Sequence, residues 1–144
     1  MSIHQISVFL ENRAGQLSQI TGTLAENGID LRAINIAETE DYGMLRMIAS
    51  DSRRAAAVLS ERGYIASVTP VVAVGVPDEP GGLHRLLECM AEEDIDVEYM
   101  YSVFGHRDGM AYMIFRVNEP DRLSAVLDAH GFHPLSSEEL GMKT

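Results

Sequence analysis

The chain has 144 residues, 46% of them hydrophobic and 23% charged, which is the composition of a globular protein with a buried core. Its 11 Lys and Arg residues against 22 Asp and Glu residues give a net charge of −11. This excess disfavours a nucleic-acid partner, because contacts to phosphate groups need clustered cations.

Residues for several kinds of chemistry are missing. Cys89 is the single cysteine, which excludes an intramolecular disulfide and a cysteine-based zinc site. Lys143 is the single lysine and lies next to the last residue, so a lysine Schiff base has no credible candidate. No apolar run approaches the ~20 residues of a membrane span, and the first residues lack the features of a signal peptide. We therefore expect a cytoplasmic protein with no membrane partner and no cofactor.

The first half of the sequence predicts the order strand, helix, strand, strand, helix, strand. Leu17, Ile20 and Leu24 recur at helical spacing, and Gly28 follows as a residue that can end a helix. The predicted elements are a strand at 3–10, a helix at 16–27, strands at 30–38 and 44–50, a helix near 55–59 and a strand at 64–68.

The second half predicts the same order. Pro120 is suited to the first turn of a helix, and Gly131 to its end. The predicted elements are a strand at 71–76, a helix at 82–93, strands at 96–103 and 109–117 joined by a turn at 106–108, a helix after 120 and a strand at 132–135. The tail from Ser136 is polar, and we expect it to be loosely held.

The two halves are copies of one module. A shift of 66 residues aligns Ile6–Asp51 with Val72–Val117, and 11 of the 46 aligned positions are identical, among them Gly15/Gly81, Leu17/Leu83 and Asp30/Asp96. A two-residue insertion then changes the shift to 68 and aligns Gly63 with Gly131. The repeat predicts two modules, at residues 1–69 and 70–144.

The order βαββαβ with short connections predicts an antiparallel sheet with two helices on one face. The third strands, GMLRMIAS and GMAYMIFRV, are apolar on both sides, although a sheet with one wet face should alternate. We therefore expect the second face to be covered, most simply by another copy of the chain in a homodimer. A few exposed apolar residues are the alternative.

The turn after the first strand of each half carries the most informative pattern. It reads ENRAGQL in the first half and PDEPGGL in the second. A glycine before a helix permits close approach to the backbone, and the free amides of the helix start attract a carboxylate. An Asn or Asp nearby can accept from an ammonium group, so the pattern suits an α-amino acid. A purely structural glycine is the alternative.

The string LENRAGQL, the GID after the helix and the Gly43 that opens the third strand resemble an ACT domain. The second half adds EYMYS, which is similar to the second strand of free-standing tandem ACT proteins. The resemblance implies an α+β fold of two ferredoxin-like βαββαβ modules, with antiparallel sheets paired side by side and helices on one face. It also implies a non-catalytic regulatory protein that binds a small amino acid at the seam between modules and modulates a separate enzyme.

The resemblance places the ligand between the loop after strand one and the start of strand two of the facing module. We expect the better site where Asn12–Leu17 faces Val97–Tyr101, because Arg13 favours a carboxylate whereas Asp78 and Glu79 repel one. The implied ligand-binding residues are Asn12, Arg13, Ala14, Gly15, Gln16, Leu17, Asp30, Leu31, Ile34, Asp78, Gly81, Gly82, Leu83, Asp96, Val97, Tyr99 and Tyr101.

Three other functions remain open. A ligand-independent dimeric scaffold would need the same fold without a binding site. An enzyme would need a carboxylate or histidine with a perturbed pKa near the seam, and an RNA-binding protein would need a basic surface with exposed aromatics. His130 and His133 are separated by the helix-ending Gly131 and have no third ligand at a suitable spacing, so no metal site is expected.

Overall fold

The structure is a computed structural model that describes residues 3–11, 13–38 and 42–142. The described part contains six strands and four helices. In chain order these are β1 (Ile3–Glu11), α1 (Gln16–Glu26), β2 (Leu31–Glu38), β3 (Tyr42–Ala49), α2 (Ser52–Glu61), β4 (Ala66–Pro77), α3 (Gly82–Glu92), β5 (Tyr99–Arg107), β6 (Met110–Arg116) and α4 (Pro120–Ala129).

The chain forms two compact units. One comprises residues 4–69 together with Gly141 and Met142, and the other comprises residues 70–140 together with Ile3. The boundary between the two units therefore falls inside β4, between Thr69 and Pro70. We call them the first and the second unit.

The first unit has the strand order β2-β3-β1-β4. β3 pairs antiparallel with both β1 and β2, with Ile6 opposite Met47 and Ile34 opposite the same Met47. The core contains Ile6, Val8 and Leu10 from β1, Ile20 and Leu24 from α1, Leu45 and Met47 from β3, and Ala55 and Leu59 from α2. The apolar stripes of the two helices thus pack on one face of the sheet.

The second unit repeats this arrangement with the strand order β4-β6-β5. Val72 lies opposite Phe115 and Val74 opposite Met113. Its core contains Val72, Val74 and Val76 from β4, Leu86 and Met90 from α3, Phe115 from β6, and Leu123 and Leu127 from α4. The predicted fold class, α+β with antiparallel strands in two ferredoxin-like modules, is confirmed.

Local sequence explains several element ends. The Asp51 carboxylate accepts a hydrogen bond from the main-chain N–H of Arg54 at 3.1 Å and so caps α2. α4 has Pro120 in its first turn, as predicted. β5 and β6 are joined through Asp108 and Gly109, which both have positive φ angles, as a two-residue hairpin turn requires. The turn predicted at 106–108 is therefore displaced toward Gly109.

Four predicted strands are wrong in extent. The strands predicted at 64–68 and 71–76 are one strand, β4, which continues through Pro70. Pro70 has no N–H to donate, and its carbonyl oxygen accepts a hydrogen bond from Arg116 Nη1 at 2.8 Å. β5 begins at Tyr99 rather than Asp96. The strand predicted at 132–135 is a single bridge between Pro134 and Val74, because proline cannot donate to a ladder.

The tail after Ser136 is held in place, contrary to the prediction. The Glu139 carboxylate accepts from the main-chain N–H of Ser136 at 3.1 Å, and the Ser136 hydroxyl accepts from the N–H of Glu139 at 3.2 Å. These reciprocal bonds close a turn that carries Leu140, which is 2% exposed, and Met142, which is 6% exposed. Two buried apolar side chains in a polar segment therefore fix the end of the chain.

The apolar third strands do not by themselves require a second copy. Ile48 of β3 and Ile114 of β6 lie on the sheet face away from the core clusters, yet both are fully buried within the single chain. The argument that their burial needs a dimer is therefore wrong, although the oligomeric state itself stays a prediction. Within the described residues, no helix is long and apolar enough to cross a membrane.

Candidate functional site

The loop after β1 is built around Gly15. The N–H of Arg13 donates to the carbonyl oxygen of Glu11 at 2.8 Å, and Gly15 precedes α1 with a φ of 83°. A side chain at this φ would be strained, but a Cβ on Gly15 would meet no atom within 4 Å. Arg13, Ala14 and Gly15 are exposed. Asn12, a predicted ligand residue, lies outside the described residues.

Two predicted ligand residues of this loop have internal roles. Gln16 is 6% exposed, and its Oε1 accepts a hydrogen bond from the main-chain N–H of Glu11 at 2.9 Å. Leu17 is half-buried against the core of the first unit. Their side chains stabilise the loop and the helix, so the groups that they offer to a ligand are main-chain amides of the first turn of α1.

The corresponding loop of the second unit has the same backbone. Glu79 N–H donates to the Pro77 carbonyl oxygen at 2.9 Å, and Gly81 precedes α3 with a φ of 86°. In this loop Gly82 N–H donates to Glu79 O at 3.0 Å and Asp78 N–H donates to Gly109 O at 2.8 Å. Leu83 packs against the core of its own unit.

The two loops meet the hydrogen-bonding needs of the same backbone in different ways. The repeat aligns Glu11 with Pro77 and Gln16 with Gly82. In the first unit the Gln16 side chain accepts the Glu11 N–H, whereas Pro77 has no N–H to satisfy. The Pro77 carbonyl oxygen instead packs against Gly82 so closely that a Cβ there would clash with it. The packing of the loop against the Pro77 main chain therefore requires glycine at position 82, whether or not a ligand binds.

The charges around the two loops also differ. In the first loop Arg13 Nε lies 3.4 Å from a Glu11 carboxylate oxygen, and both side chains are largely exposed. In the second loop Arg85 Nη2 lies 3.7 Å from a Glu79 oxygen, and Asp78 adds a further exposed carboxylate. The second loop therefore carries more negative charge and repels a carboxylate ligand more strongly.

The strand-two positions of the first unit are partly structural. Asp30 is exposed and pairs with Arg32 Nη1 at 3.0 Å, while its N–H donates to Ser50 Oγ at 2.9 Å. Leu31 and Ile34 are half-buried against the core. Because Asp30 already has a cationic partner, an ammonium group would have to share it with Arg32.

The strand-two positions of the second unit include two stacked aromatic rings. Tyr99 and Tyr101 have ring centroids 6.4 Å apart and planes inclined by 17°. Tyr101 is 7% exposed, whereas Tyr99 is half-buried. Asp96 is exposed and Val97 packs against the core of the second unit. Tyr99 therefore presents more surface to a ligand than Tyr101 does.

Within one unit the loop and the strand-two positions lie at opposite ends of the sheet. Glu11 is opposite Tyr42 at the start of β3, whereas Leu31 is opposite Ala49 at its end. The rise of a strand separates these ends by about 24 Å. Pro77 and Tyr99 are likewise opposite the two ends of β6. A site that contains both groups of residues therefore needs two modules.

Other candidates for chemistry are engaged in local contacts. His130 Nε2 lies 3.3 Å from Glu93, and His133 Nε2 lies 3.1 Å from Glu139. Burial, and then the nearby Glu92 and Glu93, raise the pKa of the Cys89 thiol and lower its reactivity. In the part of the chain that the structure describes, no three His, Cys, Asp or Glu side chains are grouped so as to hold a metal ion.

A groove on the helix layer of the first unit was not predicted from the sequence. Its volume is about 420 Å³. The signal that could have revealed it is a glycine inside α1, Gly22, where the repeat has Glu88. The lining residues are Ser18, Gln19, Gly22, Thr23, Glu26, Arg62 and Tyr64.

The fold and the repeated loops define a tandem ferredoxin-like protein in which a glycine precedes the first helix of each module. A family model described as the ACT domain pair matches residues 1–142, and the chain therefore belongs to the ACT domain pair family. The predicted resemblance to ACT domains is confirmed. No curated protein sequence gives a match.

Solved structures share the fold over most of the chain. Protein BT0572 from Bacteroides thetaiotaomicron is 35% identical with a TM-score of 0.91, over 98% of this chain and 96% of that one. The ligand-free regulatory subunit of aspartate kinase from Thermus thermophilus is 16% identical with a TM-score of 0.63, over 89% and 92%. Aspartate kinase from Synechocystis is 22% identical with a TM-score of 0.59, over 98% of this chain and 26% of that enzyme.

Proposed function

We propose that this chain is a cytoplasmic, non-catalytic regulatory protein that binds a small amino acid and modulates a separate enzyme. The ligand site combines the loop after β1 with strand-two positions of a second module, at the seam between modules. Binding there shifts the population of module or subunit arrangements, which is how the signal reaches the partner.

The observation that carries this proposal is the placement of the predicted residues within each unit. The loop and the start of strand two are about 24 Å apart in one module, so residues of these two kinds meet only when modules pair. Membership of the ACT domain pair family supports such pairing. The neighbour from Thermus thermophilus, described as a regulatory subunit, supports a separate enzyme as the partner.

The first loop is the better candidate for the ligand carboxylate. The space over Gly15 is open, and Arg13 is exposed beside it. In the second loop the guanidinium of Arg85 lies over Gly81, at 3.4 Å from a Cβ built there, and Asp78 and Glu79 add two exposed carboxylates. We propose that the main-chain amides of α1 and Arg13 bind the carboxylate, with Asp30 or Asp96 on the ammonium group and Tyr99 on the ligand side chain.

A thermal-shift screen against each of the proteinogenic amino acids tests the proposal. Stabilisation follows RT ln(1 + [L]/Kd), so a ligand at about 100 times its Kd adds about 2.7 kcal/mol. We expect one amino acid or one small group of them to raise Tm. No stabilisation by any of them at millimolar concentration would contradict the proposal.

Two variants then locate the site. Arg13→Ala should weaken binding by about tenfold because it removes one charge-assisted hydrogen bond, and Arg53→Ala removes an equally exposed arginine from α2 as the matched control. Gly15→Asn places a side chain over the loop and should block the site, and asparagine tolerates the positive φ of this position. Valine is unsuitable, because it would strain the backbone as well as block the site. Equal affinities of the Arg13 and Arg53 variants would exclude the first loop.

A ligand-independent dimeric interaction module is the second candidate. Phe9 and Tyr42 pack with ring centroids 5.2 Å apart, Met44 is opposite Phe9, and Phe9 N–H donates to the carbonyl of Ile65, which is 71% exposed. These four residues form an apolar row on the first unit. Exposed apolar patches of this kind suit a protein partner, including a second copy.

Sedimentation equilibrium without ligand tests this candidate. Ile65→Ser should raise the dimer dissociation constant by at least tenfold, whereas Val68→Ser, three residues along and therefore on the other sheet face, should leave it unchanged. A monomeric wild-type chain, or equal effects of the two variants, would exclude the apolar row as a dimer surface.

A further inference from the structure

The groove on the first unit runs along α1 beside the segment that follows α2. All seven lining residues belong to this unit, and its volume of about 420 Å³ is in the range of small-molecule sites. It is formed by the length of α1 from Ser18 to Glu26 and by Arg62 and Tyr64, and its lining does not include Gly15 or the loop before it. It is a second candidate site that does not depend on the proposed function.

The charged groups of the groove are one cation and one anion. Arg62 Nη2 lies 3.1 Å from Glu26 Oε2, and the two side chains are 56% and 67% exposed. An exposed pair of this kind contributes little to stability, so a ligand can exchange with either partner at low cost. A guanidinium and a carboxylate that are already in contact match a carboxylate and an ammonium group on one small molecule.

Neutral polar groups complete the lining. The Tyr64 hydroxyl donates to Gln19 Oε1 at 3.3 Å, and Ser18 is exposed one residue before Gln19. Thr23 is 4% exposed and its hydroxyl donates to the carbonyl oxygen of Gln19 at 2.8 Å, so it forms part of the floor and not a further donor. Tyr64 and Ser18 thus supply hydroxyls beside the charged pair.

Gly22 leaves the floor of the groove open. It lies inside α1, where glycine is less stable than alanine. No atom lies within 4 Å of a Cβ built on Gly22, and its φ is not in the left-handed region, so neither packing nor the backbone requires glycine. An open helix surface at this position permits a ligand to approach the main chain.

The second unit is an internal control for the groove. At the positions aligned with Gly22, Tyr64 and Arg62 it has Glu88, Phe132 and His130. A long carboxylate replaces the glycine, the tyrosine hydroxyl is lost, and the guanidinium is replaced by an imidazole, whose Nε2 lies 3.3 Å from a Glu93 carboxylate oxygen. The same fold therefore forms without the groove chemistry, which shows that these three residues are not needed to make an ACT module.

We propose that the groove between α1 and Tyr64 in the first unit binds a small zwitterion of amino-acid size, with its carboxylate on Arg62 and its ammonium group on Glu26. The hydroxyls of Tyr64 and Ser18 provide further hydrogen bonds, and Gly22 provides the space. The second unit has no equivalent site.

Amide chemical shifts of the full ¹⁵N-labelled chain test this proposal, with each proteinogenic amino acid as the probe at millimolar concentration. We expect saturable shifts at the amides of Gly22 and Tyr64, which line the groove and lie outside the first turn of α1, for at least one probe. Gly22→Glu, which copies Glu88 and is a good helix former, should abolish them. Ala25→Glu adds the same charge at an exposed position of α1 outside the lining and should preserve them.

Arg62→His copies His130 and should weaken the apparent affinity by about tenfold. Saturable shifts confined to residues 15–18 would overturn the groove and leave the loop site standing. Shifts at Gly22 and Tyr64 that never saturate, or a saturable Tyr64 shift that persists in Gly22→Glu, would also overturn it. Saturable shifts at Gly22 and Tyr64 without any at Gly15 would support the groove and contradict the loop.

Discussion

The side-chain oxygen of Gln16 accepts the main-chain N–H of Glu11 at 2.9 Å, and so ties the start of α1 to the end of β1. The bond fixes the loop that carries Gly15 without using any group of the loop itself. Because Gln16 is buried, water cannot easily replace it. The geometry of the candidate site therefore depends on a residue that the sequence analysis assigned to the ligand.

Gln16→Ala should lower the free energy of unfolding by about 1–2 kcal/mol, because the Glu11 N–H loses its acceptor. Gln19→Ala, which removes an exposed glutamine from the same helix, should change it by less than about 0.5 kcal/mol. In a Glu11→Pro background the Gln16 substitution should cost about 1 kcal/mol less, since no N–H remains. Urea denaturation of the four variants and wild type measures this coupling, and equal costs in both backgrounds would exclude the bond as its source.

Two glycine-to-alanine substitutions should change stability in opposite directions. Gly82→Ala should destabilise the chain by more than about 2 kcal/mol, because the added Cβ clashes with the Pro77 main chain. Gly22→Ala should stabilise it by about 0.5–1 kcal/mol, because the helix has room and the unfolded state loses freedom. Thermal unfolding distinguishes them, and a loss of stability in Gly22→Ala would show that the space over Gly22 is not open.

Leu140→Ala should destabilise the chain by about 2–4 kcal/mol, since the side chain is 2% exposed and its removal leaves a cavity. Glu138→Ala, an exposed change two residues earlier, serves as the control and should stay within about 0.5 kcal/mol. Chemical denaturation measures both. If the two variants were equally stable, the end of the chain would be loosely held, as its polar sequence alone suggested.

The turn that positions Leu140 should weaken in acid. The hydrogen bond from the Ser136 N–H is the main cause that lowers the pKa of the Glu139 carboxyl, and His133 adds to it. A carboxyl whose folded pKa is below its unfolded value stabilises the fold above the unfolded pKa, about 4.3 for glutamate. That contribution is lost as pH falls through the lower, folded pKa.

The measurement is the Tm difference between wild type and Glu139→Gln. The difference should be present near pH 7 and should narrow as pH falls through the lowered folded pKa of Glu139, below which the wild-type carboxyl is protonated as well. A difference that is constant or grows toward low pH would contradict the role of the ionised carboxylate.

Much of the fold could be predicted from local signals. The apolar periodicity of α1, the Pro120 at the start of α4 and the glycines that precede α1 and α3 each depend on physics within one turn of chain. The repeat then carried each assignment from one half to the other. These features needed no information about tertiary contacts.

The misses have tertiary causes. Pro70 indicates a strand break in the sequence, yet β4 continues through it. Its carbonyl oxygen still accepts a hydrogen bond, from the side chain of Arg116, a residue distant in the sequence. Leu140 and Met142 read as isolated apolar residues in a polar tail, and only packing reveals that they are buried. Gln16 and Leu17 were predicted to bind the ligand, but side chains at the start of a helix can instead be directed into their own unit, as both of these are.

Glu11 with Gln16, and Pro77 with Gly82, are two alternative ways to satisfy the same loop backbone, and a residue of one pair does not fit a residue of the other. Proline at position 11 alone leaves Gln16 without a donor, and a side chain at position 82 alone cannot fit under the Pro77 carbonyl. Changing one position of a pair alone therefore costs stability, whereas changing both together restores a satisfied loop. A symmetrical module designed from the consensus of the two halves would have to take both residues of one pair. A consensus chosen position by position would combine incompatible residues from the two pairs.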